Sequence, residues 1–122
     1  MSTNRNDNNT IISFLKNDVK KFVEDREWTS YHTPQNLIQA LQIEAAELSE
    51  IFLFKELKKE DILDNEDLIN RISNEMADVL IYLISLSNSL DIDLVQAFIK
   101  KMEINKAKYS IKEFNDGKYY KK

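Results

Sequence analysis

Two pairs of carboxylates are the residues of this sequence best suited to chemistry. Glu44 and Glu47 form the first pair, and Glu75 and Asp78 form the second. In each pair the residues are three positions apart, so on a helix the two side chains project from one face, about 60° apart around its axis. Apolar residues share that face in both segments. The pattern therefore predicts carboxylates that point toward the core.

Four carboxylates in an apolar interior repel one another and lose hydration, at a cost of several kcal/mol each. A bound divalent cation is the simplest compensation, and ligands that are all oxygen favour Mg²⁺, Mn²⁺ or Ca²⁺ over zinc. The alternative is a solvated surface, where most acidic pairs on helices lie. Because both pairs stand inside apolar stripes, the metal site is the favoured interpretation. Glu50 is rotated further around its helix and is predicted to lie on the surface.

Composition points to one all-α domain. The chain has 122 residues, with a single glycine, a single proline and no cysteine, which leaves little material for hairpins and excludes disulfides and thiolate metal sites. Residues 1–9 are polar and lack the apolar core of a secretory signal, and no apolar run approaches the roughly 20 residues of a membrane span. With a net charge of −4 we expect a cytoplasmic protein that binds neither nucleic acid nor membrane.

Four amphipathic helices are predicted to carry these residues, and four helices with short links predict a four-helix bundle. The helical domain should cover residues 10–110, between a disordered N-terminus at 1–9 and a loosely held C-terminal tail at 111–122. A charged connector at residues 55–67 should be solvated. The expected helices run from a Thr10 cap to about Asp25, from Thr33-Pro34 to Phe54 or Leu57, from Asn65–Asp67 to about Leu90, and from an Asp93 cap to about Tyr109.

Other chemistries fit these residues less well. A di-iron carboxylate bundle requires Glu-x-x-His motifs, and the one histidine, His32, lies in a loop. A cluster of carboxylates alone suits a hard cation that neutralises phosphate oxygens. Lys101 and Lys108 share one face of the last helix and fit a polyphosphate. Four aromatic residues at helix edges are candidates for stacking on a nucleobase: Trp28, Tyr31, Phe54 and Tyr82.

Further motifs surround the acidic pairs between about residues 10 and 110. They are Asp25-Arg26-Glu27-Trp28, His32-x-Pro34-x-Asn36-Leu37, Glu44-x-x-Glu47-Leu48, Glu75-x-x-Asp78-Val79-Leu80-Ile81-Tyr82-Leu83, and Lys101-Met102-x-x-Asn105-x-x-Lys108-Tyr109. In this combination the sequence resembles the all-α MazG-like nucleotide pyrophosphohydrolases, and most closely their dCTP pyrophosphatase branch.

The resemblance implies an enzyme that splits a nucleoside triphosphate between its α and β phosphates, giving monophosphate and pyrophosphate with Mg²⁺, or with Mn²⁺ in its place. It also implies a homodimer or homotetramer, which the apolar faces of the first and last helices independently favour. The implied metal ligands and catalytic residues are Glu44, Glu47, Glu75 and Asp78, with Glu47 activating the attacking water. The implied substrate-binding residues are Trp28, His32, Phe54 and Tyr82 for the base, and Lys101, Asn105, Lys108 and Tyr109 for the phosphates.

Two departures from the dCTP branch concern the base. Phe54 stands where that branch has a tryptophan, and Val19 stands where it has a histidine. We therefore expect a preference for deoxypyrimidine triphosphates, dCTP first, with weaker discrimination than in that branch. The alternative from another class is a non-catalytic helical oligomerisation module with a structural metal site. The presence of all four acids favours the enzyme.

Overall fold

The computed structural model describes residues 4–122. Its α-helices are α1 (Ile12–Asp25), α2 (Pro34–Glu50), α3 (Lys59–Leu63), α4 (Glu66–Ser89) and α5 (Leu94–Lys108), with a 3-10 turn at Thr29–Tyr31. Residues 4–122 contain no strand, so the all-α class is confirmed. Within the same residues no helix combines the length and apolarity needed to cross a membrane. Residues 1–3 of the segment predicted to be disordered lie outside the described part, and disorder there stays a prediction.

Side-chain caps begin three of the four long helices where the sequence predicted them. The Thr33 hydroxyl accepts from the Asn36 N–H at 3.3 Å, and Pro34 occupies the first turn of α2. Asn65 and Asp93 cap α4 and α5 in the same way, at 3.1 and 2.9 Å. These caps satisfy backbone donors that have no partner inside the helix. The predicted cap at Thr10 is wrong: α1 begins at Ile12, and the Thr10 hydroxyl instead donates to the Asn9 side chain.

The connector between the two acidic helices differs most from the prediction. Helix α2 ends at Glu50, earlier than predicted, because the next amides bond three residues back and tighten the chain into a turn. Phe54 then takes a left-handed backbone with φ 57°, from which the helix cannot continue. The charged stretch that follows is not all loop. It folds into the short helix α3, where the Lys58 N–H donates to the Asp61 carboxylate at 3.0 Å.

The chain divides into two compact units, and the first ends at Asp91. In this first unit α4 is the central helix, and α1, α2 and α3 each pack against it. The Asn88 side chain of α4 donates to the Lys16 carbonyl of α1 at 3.0 Å, which ties those two helices together. The small buried core comes from all three long helices and the turn after α2: Val23, Leu37, Ile51, Leu68 and Ile84.

The second unit, residues 92–122, contains α5 and the C-terminal tail. The predicted loose tail instead folds back on the end of its own helix. The Tyr109 hydroxyl accepts from the Lys122 N–H at 2.9 Å, and the Tyr109 ring stacks on Tyr119 with centroids 6.2 Å apart. The Glu113 carboxylate accepts hydrogen bonds from the side chains of Tyr120 and Lys122. Aromatic contacts and charge-assisted hydrogen bonds therefore hold the tail.

Candidate active site

Carboxylates from α2 and α4 meet where these two helices pack together. One oxygen from each of Glu44, Glu75 and Asp78 lies within 4.8 Å of the others, and all three side chains are half-buried. Glu47 is exposed at the edge of this group, one helical turn from Glu44. The i, i+3 spacing on each helix turns both pairs toward the helix–helix contact. Oxygen atoms this close and this shielded match the ligand chemistry of a hard divalent cation.

Burial and mutual repulsion raise the pKa of two carboxyl groups in this cluster. Partial burial, followed by the nearby carboxyl of Glu47 and the charges of Asp78 and Glu75, raises the pKa of Glu44 to about 7. Burial, with the charges of Glu47 and Asp78, also raises the pKa of Glu75. Glu44 Oε2 and Glu75 Oε2 are buried and have no hydrogen-bond partner among the described residues. Such oxygens are costly unless something positive satisfies them, so the group fits a bound cation.

An apolar cleft of about 580 Å³ opens beside the carboxylates, between α1 and α4. Its walls include Trp28 and Tyr82, and Glu44 and Asp78 form its acidic end. The Phe22 ring meets the Trp28 ring edge-on at 5.9 Å and positions it over the cleft. The structure therefore brings two of the predicted base-stacking residues together with two of the predicted metal ligands.

A polar cleft of about 330 Å³ also borders the carboxylates. Glu47 and Glu75 line it together with Arg71 and Asn74, which sequence reasoning did not select. Arg71 has no ion pair with any carboxylate of residues 4–122. Two of the four acids therefore border an apolar space, and the other two border a polar space whose lining includes a cationic side chain.

A third space, of about 310 Å³, lies further along α4 and is here called the Ser85 cavity. Val19 belongs to its wall and also to the wall of the apolar cleft, so the two spaces adjoin. The predicted base residue His32 lines the Ser85 cavity, and burial lowers the pKa of its imidazole, which favours the neutral ring at neutral pH. Ser85 is 5% exposed, and its hydroxyl has no hydrogen-bond partner among the described residues.

The other predicted substrate residues lie outside these three spaces. Phe54 follows the C-terminal end of α2, is 99% exposed and lines none of the three. Its role at the base stays a prediction. The phosphate-binding candidates belong to the second unit, where Lys101 and Lys108 are exposed and Asn105 is half-buried on one face of α5. Lys108 also lies 5.6 Å from the centre of the Tyr109 ring.

A pyrophosphatase from Archaeoglobus fulgidus has this fold. Its crystal structure matches the chain with a TM-score of 0.73 and 34% identity, over 89% of this chain and 97% of that one. The chain belongs to the MazG-like pyrophosphatase family. The predicted family and its all-α fold are thus confirmed. No family model matches the chain, so the assignment rests on individual relatives.

Within the MazG-like family, the curated relatives are dCTP pyrophosphatases. The mouse (Mus musculus) dCTP pyrophosphatase 1 is 36% identical over 94 residues, which is 75% of this chain and 54% of that protein. The human (Homo sapiens) dCTP pyrophosphatase 1 is 36% identical over 92 residues, or 73% and 53% of the two chains. This MazG-like chain therefore spans about half the length of the curated relatives it matches.

The sequence analysis did not select three residues near the site of this MazG-like chain. Arg71 and Asn74 lie on α4 just before Glu75, and Ser85 lies seven residues after Asp78. A helical wheel does place Ser85 on the stripe of Asp78, since seven residues make almost two whole turns. A serine in an apolar run gives no signal of its own, however, and only the packing of α1 on α4 shows what it faces.

Proposed function

We propose that this chain hydrolyses deoxynucleoside triphosphates, dCTP and similar pyrimidine nucleotides first, to monophosphate and pyrophosphate. The observation that carries the proposal is the continuity of the apolar cleft with the carboxylates: Glu44 and Asp78 belong to both. A base between Trp28 and Tyr82 places its phosphates at the acidic end. The names of the dCTP pyrophosphatases and of the archaeal pyrophosphatase support this activity.

Glu44, Glu75 and Asp78 would hold the metal ion, with Glu47 at their edge. When bound, Mg²⁺ would neutralise phosphate oxygens and lower the pKa of a water molecule. Glu47, the exposed carboxylate of the cluster, accepts the proton of the attacking water. The bond between the α and β phosphates breaks, water supplies the new oxygen, and pyrophosphate leaves. That Lys101 and Lys108 of α5 bind the phosphates stays a prediction from the sequence.

Incubating the protein with each of dCTP, dTTP, dUTP, dATP and dGTP tests the proposal directly. With Mg²⁺ we expect pyrophosphate release, fastest for dCTP, and none in EDTA; Mn²⁺ should substitute. Because stacking tolerates every base, we expect the rates for the three pyrimidine nucleotides to differ only modestly from one another. If the protein binds Mg²⁺ yet releases no pyrophosphate from any nucleotide, the non-catalytic module with a structural metal site is the correct interpretation.

We also propose that the chain assembles as a homodimer or homotetramer. Both units expose large apolar side chains: Leu53, Leu63 and Met76 in the first, and Phe98 and Ile99 in the second, are each more than half exposed. Exposed apolar surface on this scale marks an interaction site in soluble proteins. Light scattering at micromolar concentration should give at least twice the 14.4 kDa of one chain. A monomer under these conditions would contradict the proposal.

A further inference from the structure

The Ser85 cavity combines three features that distinguish it from a shallow depression in the protein surface. It adjoins the apolar cleft, because Val19 forms part of both walls. At its α4 wall stands the buried Ser85 hydroxyl, which has no hydrogen-bond partner among the described residues. The hydrogen bond from Asn88 to the Lys16 carbonyl fixes α1 against α4 beside the cavity, so Val19 and Ser85 keep their positions.

The spacing along α4 relates this hydroxyl to the proposed site. Asp78, Tyr82 and Ser85 lie on one stripe of the helix, since Tyr82 follows Asp78 by four residues and Ser85 follows it by seven, and both offsets bring the side chain back to nearly the same direction. Ser85 is about 10 Å beyond Asp78 along the helix axis, at about 1.5 Å per residue. This is the scale on which a nucleotide extends from its α phosphate to the far edge of its base. A base stacked against Tyr82, with its phosphate toward Asp78, directs its polar edge toward Ser85.

We propose that Ser85 is a specificity-determining residue, whose hydroxyl hydrogen-bonds the polar edge of the pyrimidine base where the apolar cleft meets the Ser85 cavity. The inference rests on the proposed function and adds the residue that reads the base. A serine hydroxyl donates one hydrogen bond and accepts others, so its oxygen accepts from the exocyclic amine of cytosine. It supplies a polar group beside Val19, whose own side chain has none. Stacking on Trp28 and Tyr82 gives affinity, and the hydroxyl gives discrimination.

Ser85→Ala tests the proposal with a paired substrate. We compare kcat/KM for dCTP with that for the 2-pyrimidinone deoxynucleoside triphosphate, which lacks the 4-amino group. The wild type should prefer dCTP by about tenfold, the effect of one hydrogen bond, and Ser85→Ala should remove that preference. The loss should appear in KM with kcat nearly unchanged, because the contact is made equally before and during the reaction. Removing an unpartnered buried hydroxyl should not lower Tm.

Ser87→Ala is the matched control. Ser87 lies on the same helix and is 2% exposed, but its hydroxyl donates to the Ile84 carbonyl at 2.7 Å and does not line the cavity. This variant should keep the wild-type preference for dCTP. Val19→Leu is the second variant, which narrows the passage between the two spaces while Ser85 stays in place. It should weaken the preference for dCTP as Ser85→Ala does.

The outcomes separate this inference from the proposed function. Pyrophosphate release with the same preference for dCTP in wild type, Ser85→Ala and Val19→Leu overturns the role of Ser85 and leaves the enzyme assignment standing. An equal loss of preference in Ser87→Ala also overturns it, since the effect then comes from general disturbance of α4. A wild type that releases no pyrophosphate from any nucleotide overturns both.

Discussion

Glu75→Gln should lower Mg²⁺-dependent pyrophosphate release by roughly a hundredfold or more, because it removes a charged ligand from the centre of the carboxylate cluster. Residues that only orient metal ligands cost about 10–100-fold when they are replaced, and a direct ligand should cost at least as much. Glu75 contributes an oxygen within 4.8 Å of those of Glu44 and Asp78. The amide of glutamine is neutral and binds a hard cation less well. Steady-state assays of pyrophosphate at saturating Mg²⁺ measure the loss.

The same substitution should stabilise the metal-free protein. Burial and the neighbouring carboxylates raise the pKa of Glu75, which means that its charge is unfavourable in the folded state. We therefore expect helical circular dichroism like that of the wild type and a higher Tm in EDTA. Glu66→Gln is the control, since it removes one exposed charge from the same helix, away from the cluster. Full activity in Glu75→Gln would rule out Glu75 as a metal ligand.

Local chemistry explains which parts of the fold the sequence predicts well. The starts of α2, α4 and α5 depend on a capping side chain and an amide three residues away, so a short stretch of sequence determines them. The end of α2 depends instead on amides that bond three residues back, and the turn that follows includes the left-handed backbone of Phe54, a conformation that a bulky side chain disfavours. No local pattern predicts that residue there, and the helix α3 that follows was missed with it.

In the candidate site, too, some features follow from local sequence and others from tertiary packing. The acidic pairs were predicted because helical periodicity alone places them in apolar stripes, and the structure brings Glu44, Glu75 and Asp78 together. The surroundings depend on contacts between residues far apart in the chain. Trp28 reaches the cleft because it packs on Phe22, and Ser85 faces its cavity because α1 packs on α4. Periodicity identifies a buried face, but it does not identify what that face meets.

Raising the pH from about 5 to about 8 should lower the Tm of the metal-free protein while increasing the stabilisation by Mg²⁺. The pKa of Glu44 is about 7 in the folded protein, against an ordinary value of 4.5, so between these values the folded state binds more protons than the unfolded state. Its contribution to stability is therefore complete below about 4.5 and is lost as the pH rises through 7. Glu75, whose pKa is also raised, acts in the same direction. Glu113 acts below this window, because its hydrogen bond with Lys122 lowers its pKa.

Mg²⁺ reverses the trend because it binds the deprotonated carboxylates, and its affinity rises over the same pH range. The difference in Tm between Mg²⁺ and EDTA should thus be small near pH 5 and grow toward pH 8, as mass action requires for a ligand that binds only the folded state. Thermal unfolding, monitored by circular dichroism at constant ionic strength, measures how Tm changes with pH in EDTA and in Mg²⁺. Glu44→Gln should flatten the slope in EDTA and reduce the response to Mg²⁺, whereas Glu66→Gln should change neither. His32 acts in the opposite direction, because burial lowers the pKa of its imidazole. The comparison with Glu44→Gln therefore decides: the same slope of Tm against pH in EDTA for the wild type and Glu44→Gln would show that the carboxylates do not repel one another as the structure indicates.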